Sequence, residues 1–241
     1  MRKLSVVIPA YNEEKRMPKT LKSVLGFLSV QAYTSEIIVV DDASSDNTYD
    51  LVKKIDFRKS KTDLKILQHA YNKGKGAAVR TGVLASEGDY ILFMDADNST
   101  DISEIKKLLP FIKSYNIIIG SRYLNKNSVK IKQPLLRRVI SRLGNQFIKL
   151  FLKLNYADTQ CGFKLFEAQT AKKIFSKITI NRWGFDIEIL FIAKNFGYKV
   201  KEVPVDWYDS PNSQLRSGKA AYNTLKELIK IKSNYKKGLY K

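Results

Sequence analysis

One cysteine and one histidine occur among 241 residues. The lone Cys161 excludes an intrachain disulfide, and the lone His69 leaves little from which to build a zinc site or a histidine-based triad. Cys161 reads as a buried, inert thiol and His69 as a strand-end residue without catalytic duty. Long hydrophobic runs are also missing: no stretch approaches the roughly 18–20 apolar residues that span a bilayer. The apolar run that follows Met1-Arg-Lys is too short for a signal-peptide core with its cleavage site. The expectation is a protein of the cytoplasmic side, free or peripheral on a membrane. Neither G-x-x-x-x-G-K-[ST] nor a strand-end G-x-G-x-x-G is present, which argues against a P-loop ATPase and a dinucleotide dehydrogenase.

Acidic residues are few, 23 against 43 Lys and Arg, for a net charge of +20. The excess is concentrated. Residues 124–154 carry eight Lys/Arg and no acid, and residues 214–241 carry eight and the single acid Glu227. Such asymmetry points to an anionic surface or ligand.

Hydrophobic patterning divides the chain into alternating strands and helices. Strands are expected at Leu4–Ile8, Glu36–Val40, Leu64–Leu67, Tyr90–Met94, Asn116–Ile119, Phe163–Phe166 and Lys199–Val205. Helices fill most intervals, including Asp101–Lys113. This βαβα order implies a mainly parallel sheet flanked by helices. From Pro134, Leu136, Val139, Ile140, Leu143, Phe147, Leu150, Phe151 and Leu154 recur at helical spacing, with Arg138, Arg142, Lys149 and Lys153 on another face. That stretch, and a lysine-rich helix from about Lys219, read as basic amphipathic helices: elements that lie on an anionic membrane surface, or ordinary surface helices packed on the core. Their basic positions alternate with apolar rather than stacking aromatic residues, so no nucleic-acid partner is expected.

Three strand ends carry the chemistry. The first closes with Tyr11-Asn12-Glu13, the second with Asp41-Asp42, and the Tyr90 strand with Asp95-Ala96-Asp97. In a parallel sheet these ends share one edge and can form one site. Asp95 and Asp97, two residues apart on an extended chain, point the same way, and a hard divalent cation is the usual partner of such a pair. Asn72-Lys-Gly-Lys-Gly76 opens a helix and is either a structural turn or an anion site, with Lys75 adding positive charge.

The order of these clusters, Val-Ile-Pro9-Ala-Tyr11-Asn12-Glu13, Val-Val-Asp41-Asp42-Ala-Ser-Ser-Asp46, Asn72-Lys-Gly-Lys75-Gly, Met-Asp95-Ala96-Asp97 and Gly120-Ser-Arg122-Tyr123, resembles the inverting family 2 glycosyltransferases of GT-A fold, specifically the polyprenyl-phosphate (dolichyl-phosphate) mannose and glucose synthases. Asp158-Thr-Gln-Cys-Gly-Phe-Lys164 and Arg182-Trp-Gly-Phe-Asp186-Ile-Glu188 are similar to the glucose branch. The resemblance implies a Rossmann-like GT-A sheet, and transfer of a hexose from UDP-glucose, or from GDP-mannose, to a polyprenyl or dolichyl phosphate. It implies Mg²⁺ or Mn²⁺ on Asp95 and Asp97, with Pro9, Tyr11, Asn12, Glu13, Asp41, Asp42, Lys75 and Ala96 around the nucleotide sugar. Arg122, Arg138 and Lys164 are implied at the acceptor phosphate. Pro211-Asn-Ser213-Gln replaces the branch's usual Pro-Gly-Ser-Lys, leaving Ser213 and Arg216 as the polar groups there. Asp186 and Glu188 stand where many relatives place a base, and an orienting or electrostatic role is expected for them. The alternative is a family 2 transferase to a hydroxyl acceptor, which needs a true base at one of the two. The expected organisation is one catalytic domain, 1–215, with a donor and metal half (1–123) and an acceptor half (124–215), followed by a basic tail helix, 216–241.

Overall fold

Runs of Val, Ile and Phe with no charge in their middles can be buried on both faces, and they form most of the sheet. In the computed structural model, which describes residues 3–55, 61–125, 127–130, 135–208 and 217–241, the strands are β1 (Leu4–Ala10), β2 (Ser35–Asp41), β3 (Thr62–Gln68), β4 (Tyr90–Met94), β5 (Ile117–Ser121), β6 (Phe163–Glu167) and β7 (Val200–Pro204). They form one seven-stranded sheet in the order β3-β2-β1-β4-β6-β5-β7. Only β6 runs antiparallel to its neighbours β4 and β5. This reversal sets the start of β6 beside the end of β4, where Asp95 N donates to Gly162 O at 3.1 Å.

Side-chain alternation splits the core into two layers. Val7, Ile38, Val40 and Phe93 face one side, against α3 (Lys75–Ala85), α5 (Leu135–Leu152), α6 (Ala168–Lys177), α7 (Phe185–Asn195) and α8 (Ser217–Lys236). Val6, Ile8, Ile37 and Val39 face the other, against α1 (Met17–Ser29), α2 (Thr48–Lys53) and α4 (Ile105–Leu108). Each such fully buried side chain contributes about 1.5–3 kcal/mol relative to exposure.

The helix expected over Asp101–Lys113 is broken. α4 is one turn long, between 3-10 turns at Ile102–Glu104 and Leu109–Phe111. Pro110 has no N–H to continue the ladder, and its ring opposes the carbonyl of Lys106. α8 is packed on the core rather than held off it. Leu228, Ile231 and Tyr240 beyond its end are at most 2% exposed.

Candidate active site

The carboxyl ends of β1, β2 and β4 open on a cleft of about 380 Å³. Each of these ends turns through a non-glycine residue in the left-handed region: Asn12 (φ 55°), Ala43 (φ 59°) and Asn98 (φ 54°). Asparagine accepts that conformation readily, whereas Ala43 is held there at a cost of about 1 kcal/mol. The turns are clasped together: Asn12 N donates to Ser44 Oγ (2.9 Å), Ser45 N to Asn12 Oδ1 (2.9 Å) and Glu13 N to Thr48 Oγ1 (2.7 Å).

Asp95 and Asp97 stand at the centre. Asp95 Oδ1 lies 2.6 Å from Lys75 Nζ, and Asp97 Oδ1 accepts Ser99 N at 2.9 Å. Burial and the neighbouring Asp95 charge raise the Asp97 carboxyl above its usual range. Burial raises Glu13 as well, against the opposing pull of its partner Arg16. Burial alone would lower Lys75, but the Asp95, Asp186 and Asp97 charges outweigh it and the ammonium is raised. It sits 5.0 Å from the Trp183 ring centre and 5.4 Å from that of Phe93. Gly162 makes room for the pair, since a Cβ there would fall 2.0 Å from Asp95 Oδ2.

The glycine-rich turn before α3 is explained by close packing. Gly74 has φ 103°, and a Cβ on Gly74 or Gly76 would come within 2.5 Å of Asn181 O or 2.7 Å of Ile180 O. Two of its amides, Lys73 N and Gly74 N, donate to the Asp42 carboxylate (2.9 and 2.7 Å), and the following Ala77 N donates to Asn181 O (3.1 Å). The glycines are therefore needed for a structural turn, and Lys75 carries its charge into the cleft. His69 enters here: its Nδ1 lies 2.6 Å from Asp42 Oδ1 and its Nε2 2.9 Å from Thr81 Oγ1. It orients Asp42.

On the far side of the cleft, Arg122 is fixed by a fork. Its Nε donates to Asp158 Oδ2 (2.7 Å) and its Nη2 to Asp158 Oδ1 (2.9 Å), with Trp207 5.5 Å from the guanidinium carbon. Glu202 of β7 accepts the Ala157 and Asp158 amides at 2.8 and 2.7 Å and so places the Asp158 loop. Asp186, in the first turn of α7, lines the cleft from below, and its carboxylate is held by Lys164. Burial raises the Asp186 carboxyl, with the Lys164 and Lys75 charges opposing.

Pro9, Tyr11, Glu13, Asp42, Lys75, Asp95, Ala96, Asp97, Arg122 and Asp186 thus line one cleft. Four expected residues do not. Lys164 was expected at the acceptor phosphate, yet it is fully buried, its ammonium donating to Cys161 O (2.6 Å) and Asp186. Glu188 is also fully buried, accepting Ile180 N (2.8 Å), Thr179 N and Oγ1 (3.0 and 2.7 Å) and Tyr240 OH (2.6 Å), so it ties down a loop and the chain's end. Asp41 is fully buried, its Oδ2 accepting Ser44 N and Gln68 Nε2 (3.2 and 3.0 Å), and Asn12 is engaged in the clasp. Ser213 and Arg216 lie outside the described residues, as does the side chain of Arg138. Cys161 is 1% exposed, and burial pushes its thiol up to about 12.

Arg16, Gln160, Arg182, Trp183 and Trp207 also line the cleft and were not singled out. The chain has only two tryptophans, and both stand here. That scarcity was the available signal.

A family model described as glycosyl transferase family 2 matches residues 5–175. The dolichyl-phosphate beta-glucosyltransferase of Dictyostelium discoideum is 33% identical over 249 residues, 99% of this chain and 76% of that protein. Its Homo sapiens namesake is 35% identical over 254 residues, 100% of this chain and 78% of that protein. Among solved structures, glucosyl-3-phosphoglycerate synthase from Mycobacterium tuberculosis, in complex with Mn²⁺, UDP-glucose and phosphoglyceric acid, superposes with a TM-score of 0.67 at 17% identity, covering 95% of this chain and 79% of that one. At that identity the likeness speaks to the fold alone, which is GT-A.

Proposed function

The chain belongs to glycosyl transferase family 2, and from that premise we propose that it transfers glucose from UDP-glucose to a dolichyl or related polyprenyl phosphate, inverting the anomeric centre. The observation that carries this reading is the meeting of the Asp95–Asp97 pair with Lys75, Arg122 and Arg182 in one cleft. Acids and cations in this arrangement suit a reaction that brings two phosphate groups together.

Two hard carboxylates in one cleft, with burial and the Asp95 charge raising the Asp97 carboxyl, fit a divalent cation. Among the described residues no cluster of three or more His, Cys, Asp or Glu forms a metal cage. This matches how Mg²⁺ is commonly held, by one or two carboxylates with substrate phosphates and water as the remaining ligands. Mg²⁺ or Mn²⁺ on Asp95 and Asp97 supplies Lewis-acid stabilisation of the departing diphosphate.

The chain's own groups do the rest. Lys75, already ion-paired to Asp95, places a positive charge where the leaving diphosphate gathers negative charge. Arg122 offers the guanidinium edge that Asp158 does not use to the acceptor phosphate, a charge-assisted contact that also screens its repulsion from the donor. A phosphate oxygen lone pair attacks C1 from the face opposite UDP, the C1–O bond breaks, and its electron pair leaves with UDP. The nucleophile is already anionic, so no proton must be removed. Asp186, held by Lys164, orients and balances charge rather than acting as a base.

The acceptor is a lipid, and the surface provides for it. Leu143 and Leu150 of α5 are 66% and 73% exposed, and Ile229 of α8 is 56% exposed, all on helices rich in Lys and Arg. No helix among the described residues is long and apolar enough to cross a membrane. We place these two helices on the anionic headgroups of the cytoplasmic leaflet, where each nearby cation adds about 1 kcal/mol.

The test is turnover of UDP-glucose and of GDP-mannose with a short polyprenyl phosphate, in Mg²⁺, in Mn²⁺ and in EDTA. Metal-dependent glucosyl transfer to the lipid phosphate is expected. Preference for GDP-mannose would overturn the donor, and transfer only to hydroxyl compounds would overturn the acceptor.

A further inference from the structure

Between residues 214 and 241 the chain has one acid, Glu227, among eight cations. Its carboxylate reaches the turn that precedes α7. Its Oε2 accepts Gly184 N at 2.8 Å, and Gly184 is the residue from which α7 starts. Thr224, nearly one turn earlier on α8, lines the cleft.

The turn so held, Arg182-Trp183-Gly184, forms one wall of the cleft, and α7 next delivers Asp186. A line of contacts follows from Glu227 to Gly184 N, through Trp183 to the Lys75 ammonium, and on to Asp95. The fit is tight. A Cβ on Gly184 would lie 2.6 Å from Glu227 Oε2 and 3.0 Å from Glu227 Cβ. The base of the same segment is fixed by other groups, Asn234 Nδ2 on Thr179 Oγ1 (2.7 Å) and Tyr240 OH on Glu188 (2.6 Å). Glu227 therefore governs the tip without governing the fold of the whole.

We propose that Glu227 is a positioning residue for the transfer: by holding the Gly184 amide it sets the Arg182–Trp183 wall against Lys75, and with it the seat of the donor diphosphate. This rests on the transferase reading above. It also gives α8 a second role, because the helix whose outer edge carries exposed Leu225 and Ile229 has its inner edge in the active site.

Three variants separate reach from charge. Glu227→Gln keeps an acceptor oxygen at the same reach, so its kcat should stay within about threefold of wild type. Glu227→Asp keeps the charge but is one methylene short, and Glu227→Ala has no acceptor; both should lose roughly tenfold to a hundredfold in kcat, with circular dichroism unchanged. In a Trp207→Phe background Trp183 is the sole tryptophan, and its emission should shift to the red and quench more readily with acrylamide in the Asp and Ala variants only. Equal losses in the Gln and Asp variants, or Trp183 emission unmoved by Glu227→Ala, would overturn the proposal. Should wild type transfer no sugar from either donor, the transferase reading fails, while Trp183 emission still decides what Glu227 holds.

Discussion

Replacing Asp158 by asparagine leaves the Arg122 guanidinium facing a neutral amide in a largely dry setting. Asp158 is 1% exposed and the Arg122 side chain 19%. Four donors converge on the carboxylate: Arg122 Nε, Nη2 and backbone N at 2.7, 2.9 and 3.0 Å, and Gln160 N at 3.3 Å. Breaking a buried pair from one side typically costs about 3–5 kcal/mol. The open cleft beside Arg122 and the oxygen that asparagine retains place this case near the lower end, about 3 kcal/mol. For a chain of this size that is a fall in Tm of roughly 6–12 °C. Burial alone would raise the Asp158 carboxyl, but the Arg122 charge and its hydrogen bonds hold it below the ordinary 3.8. A folded-state pKa below the unfolded one stabilises fully above the unfolded value and is lost as pH falls through the folded one. The difference in stability between wild type and Asp158→Asn should thus be constant from pH 8 to pH 5 and shrink below about 3.8. Urea denaturation at pH 7, 5, 4 and 3 measures it. Equal midpoints at pH 7, or a difference that widens toward acid, would refute the reasoning.

Asp97→Asn should abolish metal-dependent sugar transfer while the Tm holds or rises, because the ionised carboxylate is disfavoured by burial and by Asp95; turnover with a melting curve tests both halves. Gly162→Ala brings a methyl to within 2.0 Å of Asp95 Oδ2, so transfer should fall by about a hundredfold, and wild-type turnover would show that the acid pair tolerates displacement. Leu150→Glu combined with Ile229→Glu should weaken flotation with anionic liposomes and leave hydrolysis or transfer in detergent intact, since both side chains face outward. Cys161 should resist iodoacetamide until urea unfolds the chain, its thiol being buried and pushed up to about 12; prompt labelling of native protein would contradict the packing.

How much could be read from the chain depended on the range of the interaction. Ile37 to Val40 and Ile91 to Met94 carry their burial in their own composition, so the strands and the shared edge of their ends were legible. The helix over 101–113 was misread because its periodicity was weighed without Pro110. Within the site, Asp95 and Asp97 were legible because their spacing is local. The assignments that failed were pairings across the fold. Lys164 meets Asp186 because antiparallel β6 points that side chain inward beneath α7, and Tyr240 meets Glu188 across 52 residues. Nothing in the local sequence of either pair states the partner. The glycine-rich turn was ambiguous for the same reason: what fills the space beside Gly74 and Gly76 is Ile180–Asn181, a hundred residues on.

Those long-range pairings decide the electrostatics of the cleft. Lys75 is matched with Asp95, Arg16 with Glu13 and Arg122 with Asp158, so the ammonium and guanidinium groups stand in a partly desolvated site already compensated. Uncompensated, each would face a desolvation penalty of several kcal/mol. Asp158 engages Arg122 through Nε and Nη2, so among the described residues Nη1 remains for a ligand, in the plane that the fork has fixed. Lys75 differs, because its partner belongs to the pair assigned to the metal. Asp95 and Asp97 would hold the cation, whose charge would compensate Asp95 and leave the Lys75 ammonium for the diphosphate. Metal and donor should accordingly bind with mutual enhancement, and Lys75→Met should reduce that coupling. Calorimetric titration of Mn²⁺ with and without UDP-glucose measures it: a coupling in the variant as large as in wild type would show that Lys75 has no part in it.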